Sequence, residues 1–189
     1  FVFFLLIEKI GEMALAVSNI IRSIYVILMI PIWGFATATN TLVSYVIGLG
    51  KEDEVISLVY KIAGLTLIGV IGIVSIGLLF PNAILSIYTN DPILIEMGRP
   101  ALKIVSVGVI FVGLGFIFFN GISGTGRTDV SLSLEVIVLA IYLLYTYILI
   151  FIFDANVTLA WSSEIVYGLL LSIVSIIYLI KGNWKNNNI

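Results

Sequence analysis

The few ionisable side chains held inside long apolar runs are the first candidates for chemistry in this sequence. Arg22 lies within the run 13–48, Glu135 within 130–153 and Glu164 within 158–180. Around Arg22 the polar residues are not scattered. Asn19, Arg22, Trp33, Thr37, Asn40, Thr41 and Ser44 recur at steps of three or four, or at multiples of 3.6, so they share one helical face, which Gly11 and Glu12 extend. A long apolar helix with one polar face suits a water-filled cavity between helix bundles, and charge inside a membrane marks ion or substrate paths by default. The second polar face, Ser131, Glu135, Tyr142 and Tyr145/Thr146, adds a carboxylate able to take up a proton or a cation. The third places Glu164 with Gly168, Ser172, Ser175 and Tyr178.

What is missing narrows the chemistry further. The chain has no His and no Cys, which removes Ser-His-Asp and Cys-His catalysis, thiolate metal sites, disulfides and redox centres. Neither a metal site nor a cofactor is implied, and an enzyme is not expected. A net charge of −2 without a basic cluster gives no footprint for nucleic acid.

The elements that carry these residues follow from charge distribution. Of 189 residues 61% are hydrophobic, against about 45–50% in a soluble domain. No Asp, Glu, Lys or Arg occurs between Arg22 and Lys51, Lys61 and Asp91, Lys103 and Arg127, Glu135 and Asp154, or Glu164 and Lys181. A bilayer core about 30 Å thick takes roughly 20 apolar helical residues to cross. The runs are too long and continuous for barrel strands of about 9–11 residues, so the sequence predicts an all-α polytopic membrane bundle. Its segments are 1–7, 13–48, 55–80, 100–120, 130–153 and 158–180, with Pro100 in a first helical turn and a Gly-rich loop from Gly121 to Asp129. Phe1–Ile7 is too short to span and reads as the end of a helix that begins upstream. As one helix, 13–48 would be about 54 Å long, with a kink expected at Pro31.

Alternate loops then lie on opposite sides. Lys9, Arg99 and Lys103 fall on one; Lys51, Lys61, Arg127, Lys181 and Lys185 fall on the other, which by its excess of basic residues is cytoplasmic and holds the C-terminus. The expected location is the cell (inner) membrane.

Each candidate has a plain structural alternative. A mid-helix Arg costs about 2.5–3.5 kcal/mol on insertion scales, and the Leu, Ile and Val residues between Met13 and Pro31, at about 0.3–0.6 kcal/mol each, offset it. Arg22 either reaches the outer interface or pairs with Glu12 for assembly, or else it lines a path. Glu135 and Glu164 either sit at headgroup level or bind an ion. The glycines at 64, 69, 72, 77, 108, 113 and 115 permit close helix approach or act as hinges. Gly121–Thr128 imitates a phosphate-binding loop, but its flanks are membrane spans rather than strand and helix. Asn156-Val157-Thr158 fits a glycosylation sequon by chance beside a span.

Several stretches taken in order resemble the second half of the twelve-helix multidrug and toxic compound extrusion (MATE) family. They are Gly11–Asn19, Pro31-Ile-Trp-Gly34, Leu42–Glu54, Phe80-Pro81 through Ile87–Asp91, and Asn120–Asp129. The similarity runs from the end of helix seven to the C-terminal tail. It implies one six-helix lobe, its first helix truncated, whose partner is the missing N-terminal lobe of the same chain. It implies a cation-coupled antiporter, driven by H⁺ or Na⁺, exporting drugs or amphipathic organic compounds by alternating access, with the bilayer and a small-molecule substrate as the other partners. One branch of the family binds sodium through a Glu of helix seven and an Asp of helix ten. The first lies upstream of Phe1 and the second falls near Gly113, so that site does not carry over. The expected pathway residues are therefore Asn19, Arg22, Trp33, Thr37, Asn40, Ser44, Glu135 and Tyr142, with Glu12 and Glu164 as weaker candidates. A lipid-linked oligosaccharide flippase of the same superfamily is the alternative transporter; a membrane enzyme or a structural subunit fits less well.

Overall fold

The computed structural model describes residues 2–185. Phe1 and the polar tail beyond Lys185 lie outside the described residues. The elements are α1 (Val2–Glu8), α2 (Glu12–Gly48), a 3-10 turn (Glu52–Glu54), α3 (Val55–Leu79), α4 (Pro81–Leu85), α5 (Pro92–Gly124), α6 (Thr128–Phe151), α7 (Val157–Ala160) and α8 (Ser163–Lys181). Five spans, α7 and α8 together making the last, are long and apolar enough to cross a membrane. There is no strand among the described residues. The protein is an all-α polytopic membrane bundle.

α5 is the hub. It is lined with buried residues from Gly98 to Gly124 and contacts α2, α3, α6 and α8. The sequence places its start at Pro100; the helix begins two turns earlier. Asp91 caps it by accepting from the Ile93 amide (2.9 Å), and Pro92 takes the first helical position, where its missing N–H costs nothing. Pro100 is an interior residue, and Glu96, Arg99 and Lys103 ride exposed on the first turns. At the other end the expected Gly-rich loop is helix as far as Gly124. Those glycines are contact surfaces: a Cβ on Gly124 would lie 2.7 Å from the Asn40 carbonyl oxygen, and one on Gly121 would lie 3.1 Å from Val59. The loop shrinks to Thr125-Gly126-Arg127, with Gly126 at φ +83° supplying the left-handed turn.

α2 stays helical through Pro31. The last span does not stay continuous. α7 ends at Ala160 and α8 starts at Ser163, because hydroxyls take the carbonyls that an unbroken helix would use. Ser162 Oγ donates to Leu159 O (2.6 Å) and Ser163 Oγ to Ala160 O (2.7 Å), while the Glu164 and Ile165 amides bond three residues back instead of four.

Of the small residues, those on α5 and α8 serve close approach. A Cβ on Gly168 would overlap the Val112 nitrogen, and Gly115 and Gly108 lie against Leu171 and Glu164. Ser172 Oγ donates to Phe111 O across the same contact (3.2 Å). Gly113 accommodates Ile32, and Gly77 lies against Ser106. Gly64, Gly69 and Gly72 differ: each faces open space, so they mediate no contact among the described residues.

The alternation of loops is visible in contacts at the two ends. Lys185 pairs with Asp53 (2.6 Å) and Arg127 donates to Asn183 O (3.2 Å), which gathers the second basic group at one end. Lys9 lies over the Phe151 ring at the other.

The α5–α8 contact yields a test. Gly168→Ala should lower stability by about 1–3 kcal/mol or more through overpacking, whereas Gly69→Ala, which points a methyl into open space, should be near neutral. Thermal unfolding of the detergent-solubilised protein measures both, and equal melting temperatures would contradict the backbone contact.

Candidate functional site

Between α2, α5, α6 and α8, in the half of the bundle that holds α7, lies a cleft of about 280 Å³ lined by Tyr25, Met29, Trp33, Phe116, Leu139, Tyr142, Glu164 and Tyr167. Local sequence explains how each group arrives there. Tyr25 and Met29 are one turn apart on α2, and Trp33 a turn further. Glu164 and Tyr167 are three apart on α8, on the face that Gly168 seats against α5. From Glu12 to Tyr25 the helix rises about 20 Å, so the cleft lies well inside the span.

Glu164 is the one acid in the lining of the cleft. It is 9% exposed and accepts hydrogen bonds from Tyr25 Oη (3.0 Å) and Tyr142 Oη (3.1 Å), which arrive from two other helices. It sits in the first turn of α8, beyond a helix break. An acid there also meets the positive end of the helix dipole. Glu135, half-buried on α6, accepts from Tyr167 Oη at 2.6 Å. The Tyr142 and Tyr167 rings meet edge-on at 5.7 Å, so the two carboxylates are linked through a pair of phenols. Beneath this group Trp161 packs on Phe3 (4.9 Å) and donates from Nε1 to Ser18 Oγ (3.1 Å).

The α2 stripe is placed otherwise. Of its members Trp33 lines the cleft. Asn19, Arg22, Thr37, Thr41 and Ser44 lie on the exposed side of the bundle, and Asn40 is half-buried. The hydroxyls are spoken for: Thr37 bonds Trp33 O (2.9 Å), Thr41 bonds Thr37 O (3.1 Å), and Ser44 bonds Gly124 O on α5 (2.9 Å). Arg22 lies over the Phe4 ring, 5.3 Å from its centroid, and makes no salt bridge with Glu12 or any other acid among the described residues. Glu12 is exposed and lines a separate hollow of about 450 Å³ with Met97 and Asn156. Asn156 is a helix cap, accepting from the Leu159 amide (3.0 Å).

Sequence reasoning missed Tyr25 and Tyr167. Tyr25 sits off the polar stripe on the packed side of α2, where a tyrosine reads as core. Tyr167 was findable, since Glu164-x-x-Tyr167 is a same-face pair beside Gly168. Among the described residues no group of three or more His, Cys, Asp or Glu stands ready to hold a metal.

The chain matches the MatE family over residues 1–148. It belongs to that family. It is also similar to the probable multidrug resistance protein NorM of Thermotoga maritima, 24% identical over 156 residues, which is 82% of this chain and 34% of the relative. The chain therefore spans about a third of the length of that relative. No solved structure matches it.

The Trp161–Ser18 bond carries a prediction for this half of the bundle. Both partners are buried, so Ser18→Ala leaves the indole N–H without a partner and should cost about 1–3 kcal/mol. Denaturation midpoints of the variant and the parent measure it; an unchanged midpoint would mean the bond is not formed.

Proposed function

We propose that this chain forms a lobe of a cation-coupled exporter, driven by H⁺ or Na⁺, that moves amphipathic or cationic organic compounds out of the cell by alternating access. Family membership and the multi-pass fold support transport as the activity, and the relative bears the name of a multidrug resistance protein. The observation that carries the reading is the cleft. An organic cation is recognised by aromatic faces and a desolvated counter-charge, and the lining supplies both in Tyr25, Trp33, Phe116, Tyr142, Tyr167 and Glu164. The lining holds no Lys or Arg, which speaks against a lipid-linked phosphate as cargo and so against a flippase. The excess of basic residues at the Lys51, Arg127 and Lys185 end supports a cytoplasmic C-terminus, in the cell (inner) membrane. Asn19, Arg22 and Thr37, exposed on α2, and the half-buried Asn40 would face the cavity that a second lobe closes.

Proteoliposomes holding the full-length protein should expel ethidium when a proton or sodium gradient is imposed. Trp33→Ala removes one aromatic face worth about 0.5–2 kcal/mol, so its apparent affinity for ethidium should fall roughly 2- to 30-fold. No gradient-driven movement under either ion would end the proposal.

A further inference from the structure

Glu164 stands apart from every other acid in the chain. It is buried within the span, and no Lys or Arg lies within ion-pair distance of it among the described residues. A carboxylate taken out of water without a counter-ion is costly, and it persists only where it is hydrogen-bonded or neutralised. The titratable groups that face it are Tyr25 from α2, Tyr142 from α6 and Tyr167 from its own helix; Glu135 joins through Tyr167, and α5 turns Gly108 toward it. All are neutral donors or other acids. The open side of the carboxyl faces the aromatic cleft. The MatE match ends in α6, before the helix break and before Glu164.

We propose that Glu164 is a single-charge exchange site: its carboxyl holds either a proton or the cationic head of a compound seated in the aromatic cleft, and not both. The inference rests on the export reading. The exchange balances simply. A proton from water forms an O–H bond at the Glu164 carboxyl as the organic cation leaves; when the next cation enters, that bond breaks and the proton returns to water. The two tyrosines make the exchange mechanical. Their bonds to the carboxylate are charge-assisted and weaken when it is neutralised, which loosens α2 and α6 from α8 next to the break at Trp161-Ser162.

The test uses tetraphenylphosphonium and the purified full-length protein in weakly buffered detergent with a pH indicator. Wild type should release close to one proton for each tetraphenylphosphonium bound, with binding weakening as pH falls. Glu164→Gln, matched to wild type by melting temperature, should bind at least tenfold more weakly at high pH, without proton release and without pH dependence. If Glu164→Gln fails to fold, the pair Tyr25→Phe and Tyr142→Phe serves. It keeps the carboxyl but removes its donors, so tetraphenylphosphonium should be displaced at a several-fold lower proton concentration. Wild-type proton release in Glu164→Gln, or unmoved displacement in the tyrosine pair, overturns the assignment while export stands. A wild type that neither binds nor expels tetraphenylphosphonium overturns the export reading and this inference together.

Discussion

Gly168 rests on the backbone of α5 with no room for a methyl group, and the geometry of the cleft follows from that contact. Lipid gives helices no hydrophobic reason to associate, so approach distance and polar bonds decide which faces meet. With α8 seated against Gly108, Val112 and Gly115, its Glu164 and Tyr167 are fixed toward α2 and α6 rather than toward lipid. The Ser172 hydroxyl on the Phe111 carbonyl holds the register of the same pair. A contact made of missing side chains thus places the buried carboxylate.

Polar groups within the spans divide into two kinds, and the division explains what the stripe on α2 means. Hydroxyls at Ser23, Thr37, Thr39, Thr41, Thr66 and Thr146 donate to the carbonyl four residues back in their own helix. Such residues need neither water nor a partner helix, and their presence on one face does not make that face wet. A carboxylate has no proton to give such a carbonyl, and the Trp161 indole takes a partner on α2 instead. Glu135, Glu164 and Trp161 each reach another helix, and those bonds define the interior.

That division also sets how far the sequence could be read. The spans and the alternation of loops were legible because charge exclusion over a bilayer thickness is a strong signal; Lys185 on Asp53 shows the loops meeting as the alternation requires. The start of α5 was misplaced because Pro92 and Pro100 are equally good first-turn residues locally, and only the Asp91 cap separates them. Gly121 and Gly124 read as loop because their use is tertiary: they admit Val59 and the backbone of α2. The break before Ser163 depends on hydroxyls choosing carbonyls three residues back, which periodicity does not reveal. Helical spacing finds Tyr142 in the cleft and Glu135 beside it, while Tyr25 has the setting of a core residue and only the Glu164 opposite it marks its role.

The two ends of the bundle are held by different forces. The half containing Glu164 is crossed by Tyr25–Glu164, Tyr142–Glu164, Tyr167–Glu135 and Trp161–Ser18, bonds among side chains of different helices. The opposite half has a separate apolar core, of which Val43, Val59, Ile122, Leu179 and Trp184 are part. There Trp184 is folded in and bonded to the Leu179 carbonyl (2.8 Å), and the ion pairs lie at the exposed edge. Apolar packing is indifferent to the charge on a distant carboxyl, whereas bonds to that carboxyl are not. On the proposed exchange, a change of charge at Glu164 acts on one half of the bundle and leaves the other as a fixed base. The interruption between α7 and α8 lies in the half that responds. A helix running unbroken from Val157 to Lys181 would carry any displacement of its first turn along its length. With the Ser162, Glu164 and Ile165 amides bonded three residues back instead of four, that displacement is absorbed where the carboxylate sits.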